Sequence, residues 1–241
     1  MEFAPFDSRH YETRPVADGY REWSETYDAA MGPELDLALA AALSEDDLAW
    51  PEIRAACDLA CGTGRIGAWL KARGVATVDG ADVTPEMLRR AEEKGVYRKL
   101  ACADMTATPF PGGAYDLITS VLAVEHVSDL GAFYREASRL AKPVDARFIV
   151  VGYHPHFLLR GIPTHFRNAS GENVAIENHV HLFRDHFRAA RAHGWAPATL
   201  DESVVDEAWV ARSPRWERHF MRPASFLILW RRARRDSASH P

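Results

Sequence analysis

A glycine-rich turn after a short apolar stretch constrains the fold of this chain more than any other part of its sequence. Residues 54–59 are mostly apolar and lead into Asp58-Leu59-Ala60-Cys61-Gly62-Thr63-Gly64-Arg65-Ile66-Gly67. The three glycines have the spacing G-x-G-x-x-G, which occurs where a parallel strand turns into a helix and the backbone closely approaches a nucleotide. This stretch therefore predicts the first strand, loop and helix of a doubly wound α/β domain.

Beyond this loop, short apolar runs alternate with helical patterns, as expected for a parallel sheet built from β-α-β units. Strands are predicted at 54–59, 76–81, 98–102, 115–121, 146–152, 197–204 and 224–231. Helices are predicted at 65–73, 85–94, 129–141 and 182–193. The pattern indicates a seven-stranded, mostly parallel sheet with helices on both faces.

We interpret residues 1–241 as a single domain, because 241 residues can bury one substantial core. Residues 1–50 are predicted to form an aromatic N-terminal lid and a first helix, and residues 51–152 the cofactor-binding core. Residues 153–181 fit neither a helical nor a strand period, and an insertion of this length inside a domain is usually functional. We therefore expect the acceptor site there, with a C-terminal helix and strands over 182–241.

Composition and charge limit the classes of function. The net charge of -5 gives no general field for holding a polyanion, so a nucleic-acid partner is not expected. The chain contains no long apolar run and its first residues lack the pattern of a secretory signal, so we expect a cytoplasmic protein with no membrane partner. Three cysteines without zinc-site spacing predict reduced thiols. A monomer or a homodimer is expected.

Two acidic positions help to identify the ligand of the glycine loop. Asp82 closes the second predicted strand 18 residues after Gly64, where a carboxylate can accept hydrogen bonds from both ribose hydroxyls of either a nicotinamide dinucleotide or an adenosyl compound. Asp58 stands four residues ahead of Gly62. A pyrophosphate favours bare amides at this place, so the carboxylate suits a ligand that carries a cation.

A third segment, Ala103-Asp104-Met105, follows the third predicted strand. An acid there can accept from an adenine amino group, and the methionine offers an apolar face for stacking. Three ligand-facing loops would then meet at the carboxyl ends of adjacent strands, where open α/β sheets bind their ligands.

Taken together, these segments resemble the class I S-adenosylmethionine-dependent methyltransferases, which are Rossmann-like enzymes, and most closely their small-molecule branch. The resemblance covers roughly residues 20–152. It includes Asp82-Val83-Thr84-Pro85-Glu86-Met87-Leu88 as the ribose loop, and Tyr115-Asp116-Leu117-Ile118 through Val124-Glu125-His126-Val127 as the fourth strand and its exit.

The resemblance implies S-adenosylmethionine as the cofactor and S-adenosylhomocysteine as the product. The residues that it implies at the cofactor are Trp23, Tyr27, Asp58, Ala60, Gly62, Thr63, Gly64, Asp82, Val83, Met87, Ala103, Asp104, Met105, Val121 and Leu122. It further implies methyl transfer by in-line displacement to an oxygen, nitrogen or carbon nucleophile of a small molecule, of the kind found in specialised metabolism.

Methyl transfer requires chiefly the alignment of a nucleophile, and a base helps when the acceptor carries a proton. The candidate bases are His154, nearest to the end of the fifth strand, then His181, with Glu125 as the carboxylate alternative. Residues expected to contact the acceptor are Tyr11, Tyr20, Tyr153, His156 and His165. Two His-x-His pairs suggest a metal site, but no carboxylate spacing accompanies them and no metal is expected.

Three alternatives share the same glycine loop. A nucleic-acid or protein methyltransferase of this fold would need a basic groove or an added recognition domain. A nicotinamide oxidoreductase would bind a dinucleotide at the G-x-G-x-x-G turn. A binding module without catalysis would hold the cofactor for a partner protein. Titration with the competing cofactors distinguishes the oxidoreductase from the others.

Overall fold

The structure, a computed structural model, describes residues 1–32 and 35–232. The strands are β1 Glu12–Arg14, β2 Ala55–Leu59, β3 Thr77–Asp82, β4 Lys99–Cys102, β5 Leu117–Val121, β6 Arg147–Tyr153, β7 His165–Arg167, β8 Asn173–Ile176, β9 Trp195–Val204 and β10 Pro223–Arg232. The helices are α1 Val16–Trp23, α2 Tyr27–Ala30, α3 Leu37–Ala42, α4 Glu45–Leu48, α5 Arg65–Ala72, α6 Pro85–Glu93, α7 Leu130–Leu140, α8 Pro155–Leu159, α9 Phe183–Ala192 and α10 Glu207–Arg212.

The main sheet has seven strands in the order β4-β3-β2-β5-β6-β10-β9. The first five of these are mutually parallel, and β10 runs antiparallel to both β6 and β9. The strand order reverses between β2 and β5, which is the position where doubly wound sheets bind ligands. The predicted seven-stranded, mostly parallel sheet is confirmed, and each predicted strand lies within two residues of an observed one.

Alternating residues of the central strands enter two separate cores, as the period of two along a strand requires. In β6, Ile149 belongs to the core on one face and Phe148 to the core on the other. Leu70 of α5 covers the first face and Phe133 of α7 covers the second. Both faces of the sheet are therefore buried under helices, and its carboxyl edge is left for the loops that form the site.

The insertion over residues 153–181 is more ordered than its sequence indicates. It contains α8, β7 and β8, and the last two join β1 in a second sheet of order β1-β8-β7. Strand β1 pairs parallel with β8, with Glu12 opposite Val174. The two segments had no strand period long enough to predict this sheet. It connects the N-terminal lid to the insertion, so the two form one cover over the carboxyl edge.

Other expectations are resolved in part. Cys57 and Cys61 are buried free thiols and Cys102 is an exposed one. Within the described part of the chain, no helix combines the length and apolar character needed to cross a bilayer. The end of the predicted C-terminal region, residues 233–241, lies outside the described residues.

Candidate active site

A cavity of about 270 Å³ opens at the carboxyl ends of the parallel strands, where the strand order reverses. The predicted cofactor residues in its wall are Tyr27, Ala60, Gly62, Asp82, Val83, Met87, Ala103, Asp104, Met105, Val121 and Leu122. The sequence therefore brought residues from four separate strand ends to one cavity, which we call the first cavity.

The glycine loop forms the floor of the first cavity. Gly62 has a φ of 53°, in the left-handed region that residues other than glycine rarely adopt. Ala60 lies in the same region with a φ of 54°, so this turn is tight enough to hold an alanine in a strained conformation. A Cβ atom on Gly62 would meet no neighbour within 4 Å. The glycine is thus required by the turn, and its backbone faces open space that a ligand can occupy.

Asp82 stands at the end of β3 and is 8% exposed. One carboxylate oxygen accepts from the amide of Gly62 at 2.9 Å and the other from the amide of Thr84 at 2.8 Å. Burial raises the pKa of Asp82 in spite of these donors. Each oxygen keeps a lone pair for a further donor, so the carboxylate is fixed in place and can still accept from hydroxyl groups in the cavity.

Asp58 lies beneath the loop and not in the cavity wall. Its oxygens accept from Thr119 Oγ1 and from the hydroxyl of Tyr97, each at 2.7 Å. Burial raises the pKa of Asp58 to about 7, although both hydrogen bonds oppose the shift. The expected contact of this carboxylate with a cationic ligand is therefore replaced by a buried hydrogen-bonded contact between the loop and its neighbours.

Gly67 explains how Tyr97 reaches Asp58. A Cβ atom on Gly67 would lie 2.3 Å from Cζ of Tyr97, so only glycine leaves room for the ring. The amide of Gly67 donates to the same hydroxyl at 3.2 Å. The third glycine of the motif therefore has a packing role, and the first lies in the cavity wall.

The far end of the first cavity has both apolar and acidic groups. Met87 of α6 is 1% exposed and lies in the wall together with Val83 and Met105. One oxygen of Asp104 accepts from both the amide and the hydroxyl of Thr106, each at 2.7 Å. An apolar surface beside a fixed carboxylate suits a flat heterocycle that carries an amino group.

The lid residues Tyr20 and Tyr27 roof the first cavity. Tyr20 OH lies 2.9 Å from His126 Nε2, and His126 Nδ1 lies 2.6 Å from the carbonyl oxygen of Glu177. A carbonyl only accepts, so Nδ1 carries the proton and Tyr20 donates to Nε2. Burial lowers the pKa of His126 to about 4, which keeps the imidazole neutral. This pair was missed because His126 entered the sequence argument only as part of the strand exit.

Glu125 is 2% exposed, and neither of its carboxylate oxygens has a hydrogen-bonding partner of normal geometry among the described residues. Burial raises the pKa of Glu125 to about 7, and the backbone amides of Glu125 and Tyr153 oppose part of this rise. Its charge acts in turn on the hydroxyls of Tyr20 and Tyr153. Such a group is able to take up a proton near neutral pH.

The histidines of the insertion are spread over different environments. His154 bonds Glu202 at 2.6 Å and caps α8, and His181 lies 2.6 Å from the carbonyl of Val127. Neither is in the wall of a cavity described here. His181 and His156 have pKa values lowered chiefly by burial. No three histidine, cysteine or carboxylate side chains of the described residues come together as a metal site.

Contacts between the lid and the glycine loop hold the roof in place. Thr63 donates to one carboxylate oxygen of Asp28 at 2.5 Å, and Lys94 donates to the other at 2.7 Å. Lys94 also donates to the carbonyl of Thr63 at 2.6 Å. Thr63 and Gly64, expected at the cofactor, thus lie outside the wall of the first cavity, and Thr63 connects the loop to the lid.

A second cavity of about 560 Å³ lies on the other side of the lid aromatics. Three residues expected at the acceptor line it, Tyr11, Tyr153 and His165. Trp23, expected at the cofactor, also lines this cavity. Its ring packs against that of Tyr27, which lines the first cavity, with 4.9 Å between the ring centroids. Of the remaining acceptor residues, Tyr20 lines the first cavity and His156 a shallow pocket beside the second.

Known proteins share this arrangement. Residues 57–147 match a family model described as a methyltransferase domain. An S-adenosylmethionine dependent methyltransferase from Mesorhizobium loti has a TM-score of 0.64 at 22% identity, covering 90% of this chain and all of that one. Residues 57–147 are thus similar to a methyltransferase domain, and the chain has the same fold as that solved structure.

Two curated methyltransferases are similar in sequence over part of their length. The demethylmenaquinone methyltransferase of Thermus thermophilus is 37% identical over 103 residues, or 41% of this chain and 46% of that protein. The malonyl-acyl-carrier-protein O-methyltransferase of Halorhodospira halophila is 27% identical over 75% of this chain and 60% of its own length. This chain thus spans about half the length of the curated relatives that it matches.

The family model ends at residue 147, so the matched part of this chain is the sheet from β2 to the start of β6. The floor of the first cavity lies inside that part. The lid and the insertion, which supply Tyr20, Trp23 and Tyr153, lie outside it. The residues expected to contact the acceptor, Tyr11, Tyr20, Tyr153, His156 and His165, therefore lie outside the part that the family model matches.

Proposed function

We propose that this chain transfers the methyl group of S-adenosylmethionine to a small-molecule nucleophile. The observation that carries the proposal is the position of Asp82, a buried carboxylate at the end of β3 that is fixed by two backbone amides and lines the first cavity. A ribose needs an acceptor of this kind for its two hydroxyls.

The remaining wall also fits an adenosyl compound. Thr84 also lines the first cavity, and its side chain helps to stabilise the carboxylate of Asp82. Met87 and Met105 would cover the adenine, Asp104 would accept from its amino group, and the open face of Gly62 would admit the methionine end.

When bound, S-adenosylmethionine would supply an electrophilic methyl group to the nucleophile, with the electron pair of the carbon–sulfur bond retained by the sulfur leaving group. The protein has to align the nucleophile and exclude water. Val121 and Leu122 form an apolar wall at the end of β5, and the phenol rings of Tyr20 and Tyr27 close the roof. These four side chains exclude water from the reacting end.

We assign proton removal from the acceptor to Glu125. Its raised pKa, its influence on the hydroxyls of Tyr20 and Tyr153 and its place directly before His126 of the first cavity wall favour it over the two candidate histidines. His154 and His181 are each occupied by a hydrogen bond, to Glu202 and to the carbonyl oxygen of Val127. His126 is a positioning residue, because it fixes the hydroxyl of Tyr20.

The acceptor is proposed to be a small molecule with an oxygen, nitrogen or carbon nucleophile. The names of the two curated relatives specify demethylmenaquinone and a malonyl group on an acyl-carrier protein, and the first of these supports this class. We further propose that the enzyme acts in the cytoplasm as a monomer or homodimer, without a nucleic-acid partner.

Calorimetric titration tests the cofactor, with S-adenosylhomocysteine, S-adenosylmethionine and NAD as separate ligands. We expect the first two to bind at one site and NAD not to bind. Incubation of cell extract with the protein and methyl-labelled S-adenosylmethionine then tests transfer, with label expected in a small molecule. Binding of NAD alone would refute the proposal, and label found in protein or nucleic acid would refute the proposed acceptor class.

A further inference from the structure

The wall of the second cavity has an unusual charge for a chain of net charge -5. Four arginines, Arg9, Arg167, Arg215 and Arg218, line it, and no aspartate or glutamate of the described residues does. These arginines are exposed at the mouth. Their guanidinium groups therefore produce a positive field at the entrance of the cavity.

Among the described residues, these four guanidinium groups are not neutralised by ion pairs. None of the four arginines forms an ion pair with an acid in the described ranges, whereas arginines elsewhere do, as in the pairs Arg139 with Glu136 and Arg65 with Asp36. The field also acts on His219, whose pKa falls to about 4 because of burial and the neighbouring Arg218 and Arg9. Unpaired guanidinium groups around a cavity are suited to an anion, which each can bind with two hydrogen bonds.

The interior of the second cavity is apolar. Trp23, Phe157 and Phe166 are each at most 6% exposed and line it, and Trp23 stacks on Phe166 at 5.3 Å between centroids. Trp216 packs against Phe157 at 5.9 Å. A molecule that fills this cavity would place an anionic group at the mouth and a hydrocarbon or aromatic body inside.

The apolar end of the second cavity meets the first. Trp23 and Tyr153 line the second cavity, and Tyr20 and Tyr27 line the first. Trp23 is within 6.0 Å of both of these rings, and the hydroxyl of Tyr153 influences that of Tyr27. Among the described residues, aromatic rings of the lid stand between the two cavities at this point, so these rings have to move aside for the inner end of a bound molecule to reach the transferable methyl group.

We propose that the second cavity binds the methyl acceptor, and that this acceptor is an apolar molecule carrying a phosphate or diphosphate group held by Arg9, Arg167, Arg215 and Arg218. The proposal rests on the proposed methyl transfer and specifies its acceptor class. Four guanidinium groups exceed what a single carboxylate can satisfy, and a group with several oxygens can engage more of them. The methylated atom lies in the apolar part, away from the phosphate.

Binding of octyl phosphate, measured by calorimetry, tests this assignment. We expect the wild type to bind octyl phosphate at least about tenfold more tightly than octanoate or octanol, since charge-assisted hydrogen bonds to several arginines are lost with those probes. Arg9→Gln and Arg218→Gln should each weaken the binding of octyl phosphate about tenfold and make its affinity less dependent on salt concentration. Arg184→Gln, at an exposed position of α9 outside the walls of both cavities, is the matched control and should bind normally.

A second titration separates this inference from the function on which it rests. S-adenosylhomocysteine should bind the wild type and both variants equally, and saturating octyl phosphate should not displace it. Octanol or octanoate binding as tightly as octyl phosphate would overturn the phosphate assignment, as would normal affinity in both arginine variants. Displacement of S-adenosylhomocysteine would place the probe in the first cavity and equally overturn it. Octyl phosphate binding without S-adenosylhomocysteine binding would instead refute the proposed function and support the anion site.

Discussion

Replacement of Asp58 by asparagine should make the protein more stable at high pH, although it removes a charge that accepts two hydrogen bonds. The carboxyl group is 1% exposed, and its pKa rises from 3.8 to about 7 on folding. The folded state therefore binds the proton more tightly than the unfolded state between these values. Stability from this group is fully present below about pH 4 and is lost as the pH rises through 7.

The size of the effect follows from the shift. About three pKa units at 1.36 kcal/mol each correspond to about 4 kcal/mol of unfolding free energy lost between pH 4 and pH 8. Asparagine has nearly the same shape and no such titration. Its amide can accept from one of the two hydroxyls of Tyr97 and Thr119 and donate to the other. The variant should be within about 1 kcal/mol of the wild type at pH 5 and about 2–4 kcal/mol more stable at pH 8.

Urea unfolding followed by tryptophan fluorescence measures this difference at pH 5, 6, 7 and 8, since the chain contains 7 tryptophans. Only the difference between variant and wild type is compared, so that other titrating groups cancel. Glu92→Gln, an exposed carboxyl on α6, is the control and should give a difference independent of pH. A flat difference for Asp58→Asn, or a variant less stable at pH 8 than at pH 5, would refute the reasoning.

Three further substitutions test the site. Asp82→Ala should weaken the binding of S-adenosylhomocysteine, measured by calorimetry, by about 1–3 kcal/mol. An unchanged affinity would show that Asp82 does not contact the cofactor. Glu125→Gln should abolish a rise in kcat with pH that the wild type shows near pH 7, because the carboxylate accepts a proton only when ionised; a retained rise would assign the proton to another group. Gly67→Ala should lower stability by about 1–3 kcal/mol in urea unfolding, because its Cβ would lie 2.3 Å from the ring of Tyr97; a neutral result would mean that the ring moves freely.

The parts of this protein that the sequence predicted well are those that local patterns determine. The central strands β2, β5, β6 and β10 contain short apolar runs, and the turn at Gly62 has a backbone conformation that favours glycine. Asp82 lies at a strand end, and every strand of a parallel sheet delivers its end to the same edge. The floor of the first cavity could therefore be assembled without coordinates.

The parts that were missed depend on contacts between segments far apart in the chain. Nothing near Asp58 in sequence reveals that Tyr97 would occupy its second oxygen, because Tyr97 reaches it across Gly67. His126 gained its place from Tyr20 and from the carbonyl of Glu177. The four arginines of the second cavity come from both ends of the described chain and from the insertion, and scattered charges give no local signal.

The short pairing of β1 with β8 has a consequence for how this protein acquires its structure. Residues 12–14 find their partners at 174–176, so the lid cannot settle until most of the chain is available. Contacts of such high sequence separation form late, because the entropy of closing a long loop has to be overcome first. The main seven-stranded sheet can thus form while the first cavity still lacks its roof. Partly folded molecules would then have the floor of the first cavity in place without the lid that covers it.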